Sequence, residues 1–241
     1  MTRPGWLGRS LDRRDTVATT MQECVTACRN GSLDGHVVVA RRQTAGRGRT
    51  GREWHSADEG GLYLSVLLRG FADARSAAGL TLAAGLGVYD AARALGVPDL
   101  TLKWPNDLLA GGRKLAGILT EWLPEGAAVV GVGFNAAQQR FPDDLASLAV
   151  SASLAAGRPI SLDEALAALF SSLESAFDSF RAQGLARVVP DWSSRSGLWG
   201  RRARAAGVEG VMVRLEEDGA LVVRMDEGRE RRITADVVDL L

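Results

Sequence analysis

The sequence predicts an α+β protein in two parts, and three observations carry that reading. Up to Trp192, apolar positions at helical spacing alternate with short β-branched runs. One segment, from Ser161 to Gly184, has every mark of an amphipathic helix. After Trp192 the texture changes to short alternating runs divided by glycine turns, which suggests a separate barrel-like module. At 241 residues, 46% of them hydrophobic, the chain is long enough for one large or two modest globular domains and too apolar to be disordered.

Taken in order, Val17, Met21, Cys24, Val25 and Cys28 recur at helical spacing, and Asn30-Gly31 suits the C-cap of a first helix. His36 to Ala40 and Leu62 to Leu68 read as strands, with the Gly/Arg/Ser-rich segment 43–61 between them assigned to a loop outside the core. Residues 74–95, rich in Ala and Leu, form a buried helix stopped by Gly96-Val97-Pro98. Strands follow near 100–104, 117–122 and 127–133. Ser161 opens a capping box with Glu164, and Leu162, Leu166, Leu169, Phe170, Leu173, Phe177 and Phe180 make one apolar stripe before Gly184. The small strands fall roughly at 201–205, 211–215, 220–225 and 231–234, separated by turns at Gly207, Gly210, Gly219 and Gly228. A boundary near 190–196, around Pro190 and Ser193-Ser194, divides the chain into domains 1–192 and 193–241.

The 29 acidic and 29 basic residues cancel, which argues against a main task of coating nucleic acid or an anionic membrane. The segment from Met1 to Asp15 lacks the apolar core of a signal peptide, and no stretch of about 20 residues is free of charge and glycine, so a soluble, cytoplasmic protein is expected. Cys24 and Cys28 have neither redox nor zinc-knuckle spacing and read as core thiols. With His36 and His55 as the only histidines, a multi-histidine metal centre is excluded and a Ser-His-Asp site is poorly supported. Chemistry is left to Arg, Lys, Asp, Asn and the backbone. The cations are themselves uneven: 27 of the 29 basic residues are Arg, and the two lysines, Lys103 and Lys114, stand within twelve positions of each other. Arg is a planar five-donor fork and Lys a compact point charge, so the pair marks the stretch 102–117 for attention.

The densest feature is 43-QTAGRGRTGREWHS-56, where Arg47, Arg49 and Arg52 interleave with Gly46, Gly48 and Gly51. Glycine brings backbone N–H groups close and Arg supplies bidentate donors, so the loop asks for an anion. Gly46-x-Gly48-x-x-Gly51 also satisfies the dinucleotide-binding pattern. That pattern needs a helix immediately afterwards, whereas this chain runs through Trp54, His55, Ser56 and Asp58 into another strand. An RGG-like nucleic-acid loop would need aromatic interleaving and a wider positive field. In 103-KWPNDLLAGGRKLAGIL-119, Pro105 fixes a turn, Asn106 and Asp107 bring a polar pair into it, and Gly111-Gly112 make a hairpin returning through Lys114. Trp104 to Asp107 alone is equally an Asx turn. With Lys114 ahead of the small residues Ala116-Gly117, Asp107 is a candidate to carry Mg²⁺ or orient a donor, and Lys114 to neutralise a bound anion. In 131-GVGFNAA-137 a strand ends at Asn135 among small residues, which leaves space for a ligand and an amide to read it.

Taken together and in order, AGRGRTGREWHS, GLYLSVLLR, LKWPNDLLAGGRKLAGIL and VGVGFNAA resemble the biotin protein ligase family from about residue 15 to the C-terminus. The resemblance implies a mixed-sheet catalytic domain related to class II aminoacyl-tRNA synthetases and a small C-terminal SH3-like β-barrel. It also implies an ATP-dependent ligase with Mg²⁺ as activator, which makes biotinyl-5′-AMP and transfers biotin to a lysine of a biotin carboxyl carrier protein or domain. On the same grounds Thr19, Thr20, Gln43, Arg47, Gly48, Arg49, Lys114 and Gly117 would meet biotin. Arg49, Arg52, Trp54, Asn106 and Asn135 would meet the nucleotide, with Lys114, Arg49 and Asp107 catalytic and Asp107 at the metal. Family members carry a Ser/Thr-Thr-Asn triplet for the ureido group; this chain reads Thr19-Thr20-Met21, and Met cannot make the Asn hydrogen bond. The C-terminal module ends Thr234-Ala235-Asp236-Val237 without the glycine expected there. A DNA-binding winged helix needs ~60 residues, more than precede the first helix, so the short, non-repressor form is expected, with no DNA or membrane partner and a homodimer left open. Within the same broad fold, a lipoate–protein ligase or octanoyl transferase is the enzymatic alternative. A module that binds biotin without transferring it is the non-enzymatic one.

Overall fold

The chain runs β1 (Leu11–Val17), α1 (Thr20–Arg29), β2 (Val37–Gln43), β3 (Gly61–Arg69), α2 (Ala74–Ala94), β4 (Leu100–Lys103), β5 (Asp107–Ala110), β6 (Arg113–Leu123) and β7 (Ala127–Asn135). Three helices follow, α3 (Ala152–Ala156), α4 (Leu162–Gln183) and α5 (Leu185–Arg195). Five strands then close it: β8 (Arg202–Ala205), β9 (Val208–Leu215), β10 (Leu221–Arg224), β11 (Glu230–Ile233) and β12 (Asp239–Leu240). This is a computed structural model that describes residues 5–56, 59–71, 74–234 and 238–241. Asp58 and the Ala235-Asp236-Val237 end of the C-terminal motif lie outside the described residues.

Alternation along each strand decides which layer a residue joins. Seven strands form one sheet in the order β1-β2-β3-β7-β6-β5-β4, parallel between β1 and β2 and antiparallel elsewhere, so the sheet is mixed. On one face Val37, Val39, Leu62, Leu64, Val66, Ala128, Val130, Val132 and Phe134 join α2 and α4 in the main core. The opposite face is thinner. There Val38, Leu67, Ala127 and Val129 pack under Met21, Cys24, Val25 and Cys28 of α1, which covers only part of the sheet. Further along β7 that face carries Gly131, which lies under the Met21 side chain, and Gly133.

The α4 helix starts as its sequence requires, with Ser161 Oγ accepting from the Glu164 N–H at 3.1 Å. Its stripe residues Leu166, Leu169, Leu173, Phe177 and Phe180 are buried. The Glu164 carboxylate pairs with Arg158. A second, five-stranded antiparallel sheet has the order β11-β10-β9-β8-β12. It shares the main core through Met212, Leu221, Val223 and Ile233 and is tied to the first sheet by the Trp104 indole N–H donating to Gly219 O at 3.0 Å. Much of the arginine excess is spent on its surface in pairs such as Arg202–Asp226, Arg204–Glu209 and Arg214–Glu230.

Three local expectations change. Val17 ends β1 rather than opening the first helix; α1 starts at Thr20 with Thr19 as its N-cap. β1 itself, LDRRDTV, has no apolar alternation because it is an edge strand with an exposed middle, held by backbone pairing to β2 and by Leu11 against the core. Asp107 and Lys114 lie within β5 and β6 rather than in the turns around them. The segment 190–196 falls at the end of α5, which contains Pro190, and the second sheet begins at Arg202.

Cys24 and Cys28 are free and buried, and burial, reinforced by Cys28, pushes the Cys24 thiol up to about 12. Neither thiol is therefore expected to react with a disulfide reagent at pH 8 in the native chain, and both should react once it is denatured. Rapid native-state labelling of either would contradict this packing.

Candidate active site

The glycine-bearing part of that face, the start of α1 and the 43–56 loop line a half-open cavity of about 140 Å³. Its lining brings together Thr19, Thr20, Gln43, Arg47, Gly48, Arg49, Arg52, Trp54, Asn106, Asp107, Lys114 and Gly117. All the residues given a binding or catalytic role from the sequence are there except Asn135. That residue is buried behind the cavity, its amide donating to Lys114 O at 3.2 Å and its carbonyl accepting from Gln138 at 3.2 Å. It holds the lysine's backbone rather than lining the space in front. Met21, Glu53, Tyr63, Ile118, Leu119, Gly131, Val132 and Gly133 complete the lining. Of these, Met21 had a sequence signal in the Thr19-Thr20-Met21 triplet, and the glycines one in the small residues of 131–137.

The two charged residues at the centre arrive on adjacent strands. The Trp104–Pro105 peptide is cis at the turn between β4 and β5, and Asn106 ties that turn to β6 by donating to Ile118 O at 2.8 Å while Ile118 N donates to Asn106 O. Asp107 then pairs with Gly117 across the strands, and Leu108 with Ala116, but Leu109 pairs with Lys114. The register shift leaves Leu115 as an extra residue. As a result Lys114 shares a face with Gly117 although three positions separate them, and its Nζ lies 2.8 Å from Asp107 Oδ1. The lysine backbone is clamped from the far side by Leu148 O and Val150 N. Lys103 stands opposite Asp107 on β4. Burial lowers its pKa, with Asp107 pulling it back up and Lys114 pushing it further down. Asp239 of β12 also acts on Lys103, so the second sheet reaches the charges around the site.

A relay of hydroxyls and amides links sheet, helix and loop. Ser65 Oγ donates to Thr20 Oγ1 at 2.8 Å, Gln43 Oε1 accepts from Thr20 N at 2.9 Å and from its hydroxyl at 3.3 Å, and Gln43 Nε2 donates to Ser56 Oγ at 3.3 Å. Ser56 Oγ in turn donates to Trp54 O at 2.8 Å. Gln43 thus takes up an N–H that the first turn of α1 leaves without an intrahelical partner. The loop is a small closed hairpin. Arg47 bridges Glu53, Gly48 N donates to Arg52 O at 2.7 Å, and Thr50 and Gly51 turn the chain at φ 54° and 75°. Gly46 is where the two arms cross, since a Cβ there would fall 2.5 Å from Ser56 Oγ and Trp54 O. From the hairpin the chain passes to β3 rather than to a helix, so the glycines do not build a dinucleotide-type phosphate site. Trp54 lies in the cavity against Gly117 and Gly133, with Lys114 Nζ 5.0 Å from the ring centroid.

Such an arrangement can hold a small acid. A point-charge ammonium and three guanidiniums face a cavity whose inner end offers hydroxyl and amide groups. Neither histidine lines it; His36 is buried elsewhere with Nδ1 2.8 Å from Ser10 Oγ. Among the described residues no group of three His, Cys, Asp or Glu side chains could hold a metal ion.

Comparison with known proteins points the same way. A profile of the Biotin/lipoate A/B protein ligase family matches residues 27–135. The chain is 30% identical over 241 residues to the bifunctional ligase/repressor BirA of Bacillus spizizenii, covering 96% of this chain and 74% of that protein. It is 34% identical over 211 residues to the biotin–[acetyl-CoA-carboxylase] ligase of Paracoccus denitrificans, covering 80% and 85% respectively. The structure of the biotin protein ligase from Aquifex aeolicus in complex with biotin and ATP superposes with a TM-score of 0.84 at 28% identity, over 97% of this chain and 99% of that one.

Replacing Gln43 with Leu removes the acceptor for Thr20 N and unties the loop from the helix. The variant should lose about 1–2 kcal/mol of stability in chemical denaturation. An unchanged denaturation midpoint would contradict the relay.

Proposed function

The chain belongs to the biotin protein ligase family, and from that premise we propose that it activates biotin with ATP and transfers it to a lysine of a biotin carboxyl carrier protein or domain. In the first step an oxygen of the biotin carboxylate attacks the α-phosphorus of ATP, the bond to the β-phosphate oxygen breaks, and biotinyl-5′-AMP and pyrophosphate result. In the second, the carrier's lysine amine attacks the acyl carbon, AMP leaves with the C–O bond electrons, and the amine proton is lost to solvent or a nearby carboxylate. Both steps gather negative charge around one phosphate and one acyl group, and neither needs a covalent enzyme intermediate.

The observation that carries the reading is that one cavity gathers these residues, and the roles follow from that reading. Thr19, Thr20 and Gln43 stand at its inner end as hydroxyl and amide partners for the polar ring of biotin. Lys114 then lies where the carboxylate and α-phosphate meet, and Arg47, Gly48, Arg49 and Arg52 close over the adenylate from the loop. Trp54 and Asn106 line the nucleotide side, Gly117 lies under the ring of Trp54, and Asn135 acts through the backbone of Lys114. Met21 takes the place of an amide at the ureido end, where its thioether packs against Gly131. Asp107 is the carboxylate for incoming chemistry: it holds Lys114 in the free chain and stands ready to accept charge from the carrier's amine. Asp107 would also be the residue to hold a Mg²⁺, which would neutralise charge on the triphosphate.

We assign residues 1–192 to a catalytic domain of the class II aminoacyl-tRNA synthetase type and 193–241 to an SH3-like barrel, on the strength of the mixed sheet and the five antiparallel strands. No described helix is long and apolar enough to cross a membrane, and the cytoplasm is the proposed compartment.

Biotin-dependent exchange between ATP and pyrophosphate tests the first step. Exchange with biotin is expected; exchange with lipoate or octanoate and none with biotin would overturn the reading. Adenylate formation without transfer to a carrier domain would favour a binding module. In the same assay Lys114→Arg should lower the rate ~10-fold or more, because a planar fork cannot occupy a point-charge site. Wild-type exchange by that variant would refute the role given to Lys114.

A further inference from the structure

Gly117 of β6 and Gly133 of β7 stand directly opposite each other, and both face the indole of Trp54. A Cβ on Gly133 would fall 2.5 Å from Cε2 and 2.8 Å from Cζ2 and Nε1 of that ring, and one on Gly117 would fall 2.6 Å from Cζ3. Real side chains do not come so close, so the ring straddles two strands in contact with their backbones. Neither glycine has a positive φ, so backbone freedom does not explain them. The three nearest neighbours of the Gly133 position all belong to Trp54. The indole N–H is buried without a hydrogen-bond partner, which leaves packing to hold the ring. That ring bounds the space in which the Lys114 side chain stands, with Nζ 5.0 Å from its centroid and Cε 3.2 Å from where a Gly117 Cβ would be.

We propose that Gly133 is a positioning residue: with Gly117 it forms a seat free of side chains for the Trp54 indole, and the seated ring sets where the Lys114 ammonium stands. The proposal rests on the ligase reading for its kinetic consequence but not for the seat itself. It differs from the simpler view that small residues on β7 leave room for ligand. In that view a methyl group at 133 obstructs the ligand whatever residue occupies position 54. Here it obstructs only the ring, and since the ring is the movable partner, Gly133→Ala should fold and displace it.

The test is a double-mutant cycle with Gly133→Ala and Trp54→Leu, read by biotin-dependent ATP–pyrophosphate exchange and by near-ultraviolet circular dichroism. In the presence of Trp54, Gly133→Ala should lower kcat at least tenfold; in the Trp54→Leu background it should cost less than twofold. Equal losses in both backgrounds would overturn the proposal. The dichroism contributed by Trp54, taken as the difference on Trp54→Leu substitution, should collapse in Gly133→Ala, and its survival would also overturn the proposal. If the wild-type chain shows no biotin-dependent exchange, the functional reading fails and the dichroism difference still decides the seat. Should Gly133→Ala fail to fold, Gly117→Ala in the same cycle is expected to show the same coupling to Trp54, and its absence would overturn the proposal.

Discussion

One extra residue in the sixth strand decides what the site face of the sheet presents. In an uninterrupted strand Lys114 and Gly117, three positions apart, would point to opposite faces, and the ammonium would be driven into the apolar layer under α2 and α4. Leu115 absorbs the mismatch. It and Ala116 are both fully buried in that layer, while Lys114 stays on the side of Asp107 and Gly117. Backbone groups that such an irregularity would leave unpaired must find other partners. At Lys114 the 148–150 segment and the Asn135 amide supply them. The ion pair and the clamp behind it depend on that single insertion.

Around the pair, fixed and adaptable charges are kept apart. Lys114 is held by strand, clamp and carboxylate, as the compact charge we propose at the reacting atoms would need to be. The guanidiniums sit on a hairpin joined to the sheet through Gln43, Ser56 and Trp54, which suits donors that close over whatever the sheet has already placed. Trp54 belongs to both parts, since it is carried by the loop and seated on the sheet. Neutral overall charge conceals this arrangement because the arginines of the second sheet are matched by acids on the same surface.

Much of this was legible in the sequence, for identifiable reasons. The α2 and α4 helices are long enough for period 3.6 to dominate, and Ser161 names the start of the second. The loop that lines the cavity was marked by its mixture of Gly with Arg, and Lys114 stood out because the chain has almost no other lysine. What was hidden depends on register. β1 has a charged, exposed sequence and is a strand only because β2 offers it an edge. The insertion at Leu115 is invisible in a run of small and apolar residues, so Lys114 was read as part of a turn. Asn135 looked like a ligand-reading amide because only the fold shows that Lys114 O lies behind it. That Gly133 also lies against Trp54 was hidden, because nothing in the linear order brings that ring over it.

The central claim is that Lys114, delivered to this face by the extra residue, is the charge that meets the reacting carboxylate and phosphate. A crystal structure of the chain with biotinyl-5′-AMP tests it most directly. The account predicts the acyl phosphate within hydrogen-bond distance of Lys114 Nζ and the indole of Trp54 still seated on Gly117 and Gly133. An adenylate bound with its acyl phosphate out of reach of Lys114, and that lysine still paired only with Asp107, would contradict it.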